Sequence, residues 1–511
     1  MRVRLIGLVA CVAAIRAWAA DSFNESLTLR PLQGGRVHAS FSFELGTDGD
    51  ASLHHFGLVP RSLLQPVASL GVQDMQLALN AGRWRYDLWG SPTLGGGTES
   101  VAGGAEVWAA FAPGEAPVEQ RWRVLTSTLA SIFCASLDAV DASTTKEPLY
   151  NYFGAHVGEN GTLLHAYLPS EGICTENFSP LLHLLPCKGG SGLASLIQTH
   201  TILSTDFHGV SVSVRRENGW RVKLDVQAVV LADDLSLPSL FGRELKRTCP
   251  LASSSTVHIA GVVPVDEDVE PQTVFDTAEL IEKSPSMKDL ERKSLPTLPL
   301  TAARAVLGAG QERNTVQLVL RNNLRTDALH VLYSDQLPSF VLPLLHTIRS
   351  ETTANSLDEE IVRYRDDEIE PHAVGLHFEP PVVRQRNGAL DLELRVPADS
   401  TLTVTFELIK QMLHYEEHVP DPHRGRDLSP AIFVPLAHKA DVGVTRPIPI
   451  HTLAAPAQAR RIYVPAALID VAMPDFSMPY NVILFYSTYV ALFFGNMLNL
   501  IMRTFRDVWV R

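Results

Sequence analysis

The C-terminal end of the chain carries the feature that most constrains its fold. Val482–Met502 is an uncharged apolar stretch, and Arg503, Arg506 and Arg511 follow it. A helix of that length, at about 1.5 Å per residue, covers the roughly 30 Å hydrocarbon core of a bilayer. We therefore predict a single membrane-spanning helix over residues 479–502.

The charges on either side of this span predict its orientation. Basic residues cluster directly after the span and are absent just before it. Positive charge beside a span favours the cytosolic side. The tail, residues 503–511, is therefore predicted to be cytosolic, and everything upstream of the span luminal.

The N-terminus agrees with this topology. Arg2 and Arg4 form a charged start, Leu5–Ile15 is apolar, and Ala17–Ala19 has the small-x-small pattern of a cleavage site. The apolar part is too short to span a bilayer. Residues 1–20 are therefore predicted to be a cleaved secretory signal peptide, which makes the mature chain a type I membrane protein.

The charge of the chain excludes one class of partner. The sequence has 43 Lys and Arg against 56 Asp and Glu, a formal net charge of −13. Binding to phosphate backbones needs clustered Lys and Arg, and the sequence shows no such run. Nucleic acid is therefore not expected as a partner.

Four cysteines remain after removal of the signal peptide. Cys11 leaves with it, and Cys134, Cys174, Cys187 and Cys249 stay. Thiols in an oxidising lumen tend to be paired. Four cysteines can pair internally in three ways, or one can pair with another chain and leave an odd thiol. Counting alone leaves these alternatives open.

Three N-x-Ser/Thr sequons suit a secretory-pathway protein. They begin at Asn24, Asn160 and Asn177. Pro180 follows the acceptor serine of the third and weakens it. We predict glycosylation at Asn24 and Asn160, with Asn177 poorly used.

The luminal part is predicted to be mainly β. Short segments alternate apolar and polar residues and are cut by Gly, Pro and Asp, as in Arg36–Leu45, Arg221–Val230 and Thr401–Leu408. This period of two indicates antiparallel, sandwich-like sheets. Helices are fewer, the best candidates being Val118–Leu137 and a shorter one near Leu240–Lys246.

A change in composition divides the luminal part in two. Pro264–Pro299 mixes acidic residues, prolines and Lys/Glu/Ser without a sustained apolar period. We predict a linker or long loop at 263–302 between two β-rich lobes, residues 21–262 and 303–478. A set of aromatic residues is predicted to fill the core of the first lobe: Trp84, Tyr86, Trp89 and Trp108.

The sequence offers no self-contained catalytic site. His414 and His418 match H-x-x-E-H, the inverted zinc-peptidase pattern, in which two histidines on one helix bind the metal. The preceding Thr401–Leu408 alternates like a strand, and Pro420 and Pro422 end the segment at once. We predict no catalytic residue, no metal site and no cofactor.

Polar residues inside the predicted span indicate contact with other membrane helices. Gly495, Asn496 and Asn499 lie within it. Amide side chains in hydrocarbon seek hydrogen-bond partners, and glycine permits close helix approach. These residues are predicted to form a packing face.

Several motifs together resemble one known family. Pro474–Asn481, at the luminal mouth of the span, resembles the signature of the PIG-T family, the β-rich subunit of GPI transamidase. Further matches run along the luminal chain: Trp89–Gly90, Gly104–Trp108, Ile132–Leu137, Cys174–Asn177, Leu184–Cys187, Cys249–Ser253 and Pro420–Pro422.

The resemblance implies a non-catalytic subunit of an endoplasmic-reticulum membrane complex that attaches GPI anchors to precursor proteins. The nucleophile would belong to a caspase-like subunit, PIG-K, held by an interchain disulfide that maps onto Cys174. At most two of Cys134, Cys187 and Cys249 could then pair internally. Further partners implied are a GAA-type subunit, PIG-S and PIG-U, with the GPI lipid near the span.

Two readings from other classes stay open at this point. A type I adhesion or receptor ectodomain fits the topology, the sequons and the β-rich luminal part. A luminal metal-dependent hydrolase would rest on His414 and His418. Of the three readings, only the transamidase subunit predicts a covalently linked partner that resembles a cysteine protease.

Overall fold

The structure is a computed structural model. It describes residues 21–47, 57–92, 100–142, 144–158, 160–169, 171–232, 235–260, 262–264, 274–282, 290–292, 298–308, 310–355, 373–383, 385–418, 421–436, 461–473 and 477–504. The predicted signal peptide and most of the predicted cytosolic tail lie outside these residues.

The strands of the first part of the chain are β1 (Asp21–Leu32), β2 (Arg36–Thr47), β3 (Val72–Gly82), β4 (Gly104–Phe111), β5 (Thr145–Lys146), β6 (Thr162–Leu168), β7 (Phe207–Arg216), β8 (Trp220–Leu231), β9 (Ser254–Ile259), β10 (Val262–Pro264), β11 (Val274–Asp276) and β12 (Leu290–Arg292). Those of the second part are β13 (Leu300–Leu307), β14 (Arg313–Asn322), β15 (Leu329–Leu337), β16 (Val341–Ala354), β17 (Ala373–Glu379), β18 (Gly388–Val396), β19 (Ser400–Lys410), β20 (Arg426–Leu428), β21 (Ile432–Leu436), β22 (Ile462–Tyr463) and β23 (Ala467–Ile469).

The helices are α1 (Arg61–Ser69), α2 (Tyr86–Trp89), α3 (Val118–Phe133), α4 (Thr175–Leu184), α5 (Thr199–Leu203), α6 (Leu237–Phe241), α7 (Thr277–Glu282) and α8 (Ser477–Met502). Two of them end earlier than the sequence pattern predicts. Helix α3 stops where Cys134 adopts the left-handed conformation, with φ 51°. Helix α6 stops at the left-handed Gly242, with φ 65°, so most of the predicted helix at 240–246 is absent. A left-handed residue ends a helix because its backbone turns out of the helical path.

A ten-stranded sheet dominates the first part of the chain. Its strand order is β11-β9-β1-β2-β8-β7-β3-β4-β6-β5, and its pairs are antiparallel except for the parallel pair β1 and β9. Apolar residues alternate along β1, where Phe23, Leu27 and Leu29 are buried in the core. Helices α1, α3, α4 and α6 pack on the same core, for example through Leu125 and Phe178. The first part of the chain is therefore built from one sheet with helices packed on one of its faces.

Two sheets face each other in the second part of the chain. One has the order β13-β14-β19-β16 and the other β17-β18-β15-β21-β22. Burial alternates strictly along β19, and Val404 and Phe406 meet Leu392 and Tyr333 of the opposite sheet in one core. The prediction of a mainly β chain with antiparallel, sandwich-like packing and one C-terminal apolar helix is confirmed.

A third buried cluster, here called the seam, joins the two parts of the chain. Trp84, Trp89 and Trp108 of the first part share it with Leu332 and Tyr463 of the second. The tryptophans predicted to fill the first lobe's core therefore cover the contact between the two parts. Trp108 alternates along β4 with Val107 and Ala109, which face the helices, so its side chain lies on the opposite face of the sheet. Trp84 and Trp89 follow β3 and pack on each other beside that face, with ring centroids 5.2 Å apart.

The segment 263–302, predicted to be a linker or long loop, contains ordered elements. Strand β11 pairs antiparallel with β9, so the ten-stranded sheet includes it. Phe275, Thr277 and Leu280 are buried beside that sheet. The described part of the segment near α7 therefore packs on the first part of the chain.

Helix α8 is long and apolar enough, over Tyr480–Met502, to cross a membrane. It begins at Ser477, two residues before the predicted start at 479. Pro479 is tolerated there because the first turn of a helix has no internal partner for its N–H.

Candidate functional site

Cys174 lies at the exposed start of helix α4. It is the residue preceding the first helical turn, in an extended conformation with φ −132°. Its thiol is not part of an internal disulfide, and the residue is exposed. The chain therefore presents a free, exposed cysteine at the start of a helix.

Asn177 fixes the backbone around this cysteine. Its Oδ1 accepts a hydrogen bond of 2.7 Å from the Cys174 N–H, within a capping box. Its Nδ2 donates to the carbonyls of Phe133 at 2.7 Å and Cys134 at 3.3 Å. Because Asn177 is only 1% exposed, these bonds are shielded from water. One amide thus ties the backbone at Cys134, where α3 ends, to the backbone at Cys174, where α4 begins.

The same contacts bear on the third sequon. A glycan attaches to the asparagine Nδ2, and that atom of Asn177 is buried and donates to two carbonyls. Asn24 lies in β1, half-buried, and its Oδ1 accepts from Ser254 Oγ at 2.9 Å. Asn160 is exposed in a turn, in the left-handed conformation with φ 56°. Glycosylation at Asn24 and Asn160 stays a prediction.

The other two cysteines are bonded to each other. Cys187 and Cys249 form a disulfide with a Cα–Cα distance of 6.0 Å. It joins the loop after α4 to the segment before β9. The thiols of Cys134 and Cys174 are both free. The bond between Cys187 and Cys249 is one of the alternatives that the number of cysteines left open.

The residues that could have formed a metalloenzyme site are not arranged as one. His414 precedes a short 3-10 turn at Tyr415–Glu417, so His414 and His418 do not share a helix. The Glu417 carboxylate accepts a hydrogen bond of 2.5 Å from the His414 backbone N–H. This carboxylate is therefore engaged within the turn. Within the described ranges, no group of three or more metal-ligating side chains is placed to hold an ion.

A buried polar network lies in the seam. Tyr463 donates from its hydroxyl to Glu106 Oε2 at 2.9 Å, and His165 Nε2 lies 3.0 Å from Glu106 Oε1. Burial raises the pKa of Glu106, but the hydrogen bond and charge of His165 outweigh it and hold that pKa below its usual value. Burial likewise raises the pKa of the Tyr463 hydroxyl. Since all three are sealed from solvent, the network fits a structural role.

The sequence analysis did not predict this network, because no pattern among neighbouring residues indicates it. Glu106 and Tyr463 are 357 residues apart in the chain. A carboxylate inside an otherwise apolar strand was the available signal. Strand β4 extends over Gly104–Phe111, and Glu106 is its sole charged residue.

The polar residues of the predicted span share one side of α8. Gly495 and Asn499 are four residues apart, about 40° around the helix, and Asn496 is about 100° from Gly495. A side chain added at Gly495 would meet no atom within 4 Å. All three are exposed in the isolated chain.

The sequence matches a family model described as "Gpi16 subunit, GPI transamidase component" over residues 7–232 and 226–510. It is 29% identical to the GPI-anchor transamidase component PIGT of Mus musculus, with 95% of this chain and 90% of that protein covered. It is 28% identical to the PIG-T homolog of Schizosaccharomyces pombe, with coverages of 95% and 90%. For the GPI transamidase component GPI16 of Saccharomyces cerevisiae the identity is 24%, with coverages of 94% and 88%.

Several solved structures show a remote likeness to this chain. The collagen adhesin of S. aureus is 7% identical, covers 82% of this chain and 87% of its own, and has a TM-score of 0.18. A TM-score that low does not establish a common fold.

Proposed function

Because this chain belongs to the family of the Gpi16 subunit, a GPI transamidase component, we propose that it is the non-catalytic scaffold of that enzyme complex. In this role it holds the caspase-like catalytic subunit, PIG-K, through an interchain disulfide. The complex would act in the endoplasmic reticulum membrane, where it attaches GPI anchors to precursor proteins.

One observation carries the proposal. Cys174 is exposed and outside the internal disulfide, and its backbone is held by the buried Asn177. An oxidising lumen favours pairing of such a thiol. A sulfur at the start of a well-packed helix has a fixed position, which lowers the cost of docking a partner around it.

The residues that the sequence offered for metal chemistry do not form a site. The candidate histidines, His414 and His418, lie on a turn. The buried group around Glu106 has no access to substrate. In this proposal the chemistry belongs to the caspase-like partner that the resemblance implies.

Helix α8 is proposed to fasten the luminal part to the other membrane subunits. A GAA-type subunit, PIG-S and PIG-U are the proposed neighbours, with Gly495, Asn496 and Asn499 on the contact face. The GPI lipid would lie close to this helix, so that its head group reaches the luminal active site.

The proposal is tested by replacing the thiol. The full chain is expressed with its catalytic subunit as wild type, as Cys174→Ser and as the matched control Cys134→Ser. On a non-reducing gel, the heavier and reducible band should be present in the wild type and in Cys134→Ser. It should be absent from Cys174→Ser, because that variant lacks the bonding sulfur.

Assembly in Cys174→Ser should be weakened and not abolished, since noncovalent contacts remain. A heavier reducible band that persists in Cys174→Ser, or that disappears in Cys134→Ser, would contradict the assignment. A chain that reaches the cell surface with no covalent partner would favour an adhesion or receptor role instead.

A further inference from the structure

The described part of this acidic chain carries a concentrated basic surface. Arg243, Lys246 and Arg247 line an open pocket of about 710 Å³ together with Gly189 and Gly190. All three basic residues are exposed, and Glu244 is the pocket's acidic member. The exposed Lys188 directly precedes the glycines. We call these four cations, Lys188, Arg243, Lys246 and Arg247, the basic rim.

The basic rim stands on a rigid base. The Cys187–Cys249 disulfide joins the two segments that carry it. The Gly192 N–H donates to the Arg247 carbonyl at 2.8 Å, and Leu245 is buried in the core. The backbone positions of the cations are therefore fixed, while their charged ends reach solvent.

The basic rim continues the surface that begins at Cys174. Helix α4 starts directly after Cys174, and its exposed face runs through Ser179 and His183 toward Lys188. Ten residues of helix extend about 15 Å. A stable interface buries about 800 Å² on each partner. A partner bonded at Cys174 with such an interface, extending along α4, would reach the end of the helix at Leu184, four residues before Lys188 of the basic rim.

We propose that the basic rim is a docking surface for an acidic segment of the partner that Cys174 holds. This inference rests on the proposed function, because it takes the disulfide-linked subunit as the occupant. Opposite charges on this surface would orient the two proteins as they associate, and they would add to the noncovalent contacts that hold the complex.

The test separates the basic rim from the disulfide. Full-length chain carrying Cys174→Ser is co-expressed with the catalytic subunit, so that only noncovalent contacts retain the partner. Lys246→Glu and Arg247→Glu are then added together. These two are chosen because Arg243 also donates to the Ser195 carbonyl at 3.3 Å.

The matched control reverses two exposed arginines of the second part of the chain, Arg321→Glu and Arg325→Glu. Retention of the partner in detergent extracts is measured from low to high salt. We expect the basic-rim variant to retain about tenfold less partner at low salt, with little further loss as salt rises. The control should behave as Cys174→Ser alone.

Equal retention in the basic-rim variant and the control would overturn the inference. So would binding of the purified chain to vesicles of phosphatidylinositol phosphate that Lys246→Glu/Arg247→Glu removes while partner retention is unchanged, because the ligand would then be an anionic lipid. Failure of the proposed function gives a different result, since the chain with an intact Cys174 would form no covalent adduct at all. Unchanged thermal unfolding of both charge-reversal variants shows that they are folded.

Discussion

At the scale of single residues, Asn177 shows how a sequon can serve packing. Its side chain uses its acceptor and both donor directions on Cys174, Phe133 and Cys134. A buried amide that meets all its partners is stabilising, whereas its removal leaves those partners unsatisfied. The motif Cys174–Asn177 is therefore a helix start that also positions a thiol.

Asn177→Ala is expected to lower the free energy of unfolding by about 1–3 kcal/mol, because buried polar groups lose their partners. It should also reduce the yield of the interchain disulfide. Ser179→Ala is the matched control, since it removes the sequon and keeps the amide. Denaturant unfolding and a non-reducing gel report both effects, and an equal loss in the two variants would point to a glycan instead.

His38 gives the stability of the first part of the chain a dependence on pH. It is buried in β2, with its ring centroid 5.0 Å from that of Trp84. Burial, assisted by the nearby charge of Arg30, lowers its pKa from 6.5 to about 3. Below pH 6.5 the unfolded chain binds a proton that the folded chain does not. Stability from this group is therefore present above pH 6.5 and is lost as the pH falls toward 3.

Between pH 7 and pH 5, this histidine should cost the folded chain about 2 kcal/mol. In His38→Gln, the fall in unfolding free energy over that range should be smaller by the same amount. Denaturant unfolding of the full chain in detergent at both pH values measures the difference. Parallel pH dependences of wild type and variant would show that His38 does not titrate as described.

At the scale of elements, helix α8 combines a span with a polar side. An anchor alone needs about 20 apolar residues. This helix adds two amides and a glycine within its last eight residues, from Gly495 to Met502. Interhelical hydrogen bonds of such amides are worth about 0.6–2 kcal/mol.

Replacement of both amides, Asn496→Leu with Asn499→Leu, is expected to keep membrane insertion and to reduce co-purification of the membrane subunits. The matched control, Met497→Leu with Ile501→Leu, alters the opposite side of the helix. Quantitative co-purification from mild detergent compares the two. Full retention of every membrane subunit in the Asn variant would show that α8 is a simple membrane anchor.

At the scale of the whole molecule, the seam makes one body of the two parts of the chain. Lys146 of β5 donates to Asp391 Oδ1 of β18 at 3.1 Å and to Ser334 Oγ of β15 at 2.8 Å. Burial alone would lower the pKa of Lys146, but the charge of Asp391 outweighs it and raises that pKa. The cation therefore stays charged inside the contact between the two parts.

Lys146→Ala is expected to cost about 3–5 kcal/mol of stability, since it leaves Asp391 buried and unpaired. The double variant Lys146→Met with Asp391→Leu should cost much less, because no charge is left without a partner. Arg36→Ala, which breaks the exposed pair with Asp206, should cost at most about 1 kcal/mol. Equal losses in the single and double variants, measured by denaturant unfolding, would show that the pair is not sealed from water.

Much of the architecture follows from local sequence. The alternation in Arg36–Leu45 corresponds to β2, and that in Thr401–Leu408 to β19. The apolar run of α8 and the helical stripe after Val118 were equally visible. These features are predictable because they depend on neighbouring residues: the period of apolar positions indicates a strand or a helix, and the length of an apolar run indicates a membrane span.

The tertiary structure alone decided which distant residues meet. Nothing near Asn177 indicates that its amide reaches Phe133, and nothing near Trp84 indicates that it faces the second part of the chain. Counting cysteines could not select the bond between Cys187 and Cys249. The sequence by itself determined the strands and helices with a clear period, the candidate membrane span and the family resemblance. Contacts across tens to hundreds of residues depend on how whole sheets pack, and no local period encodes them.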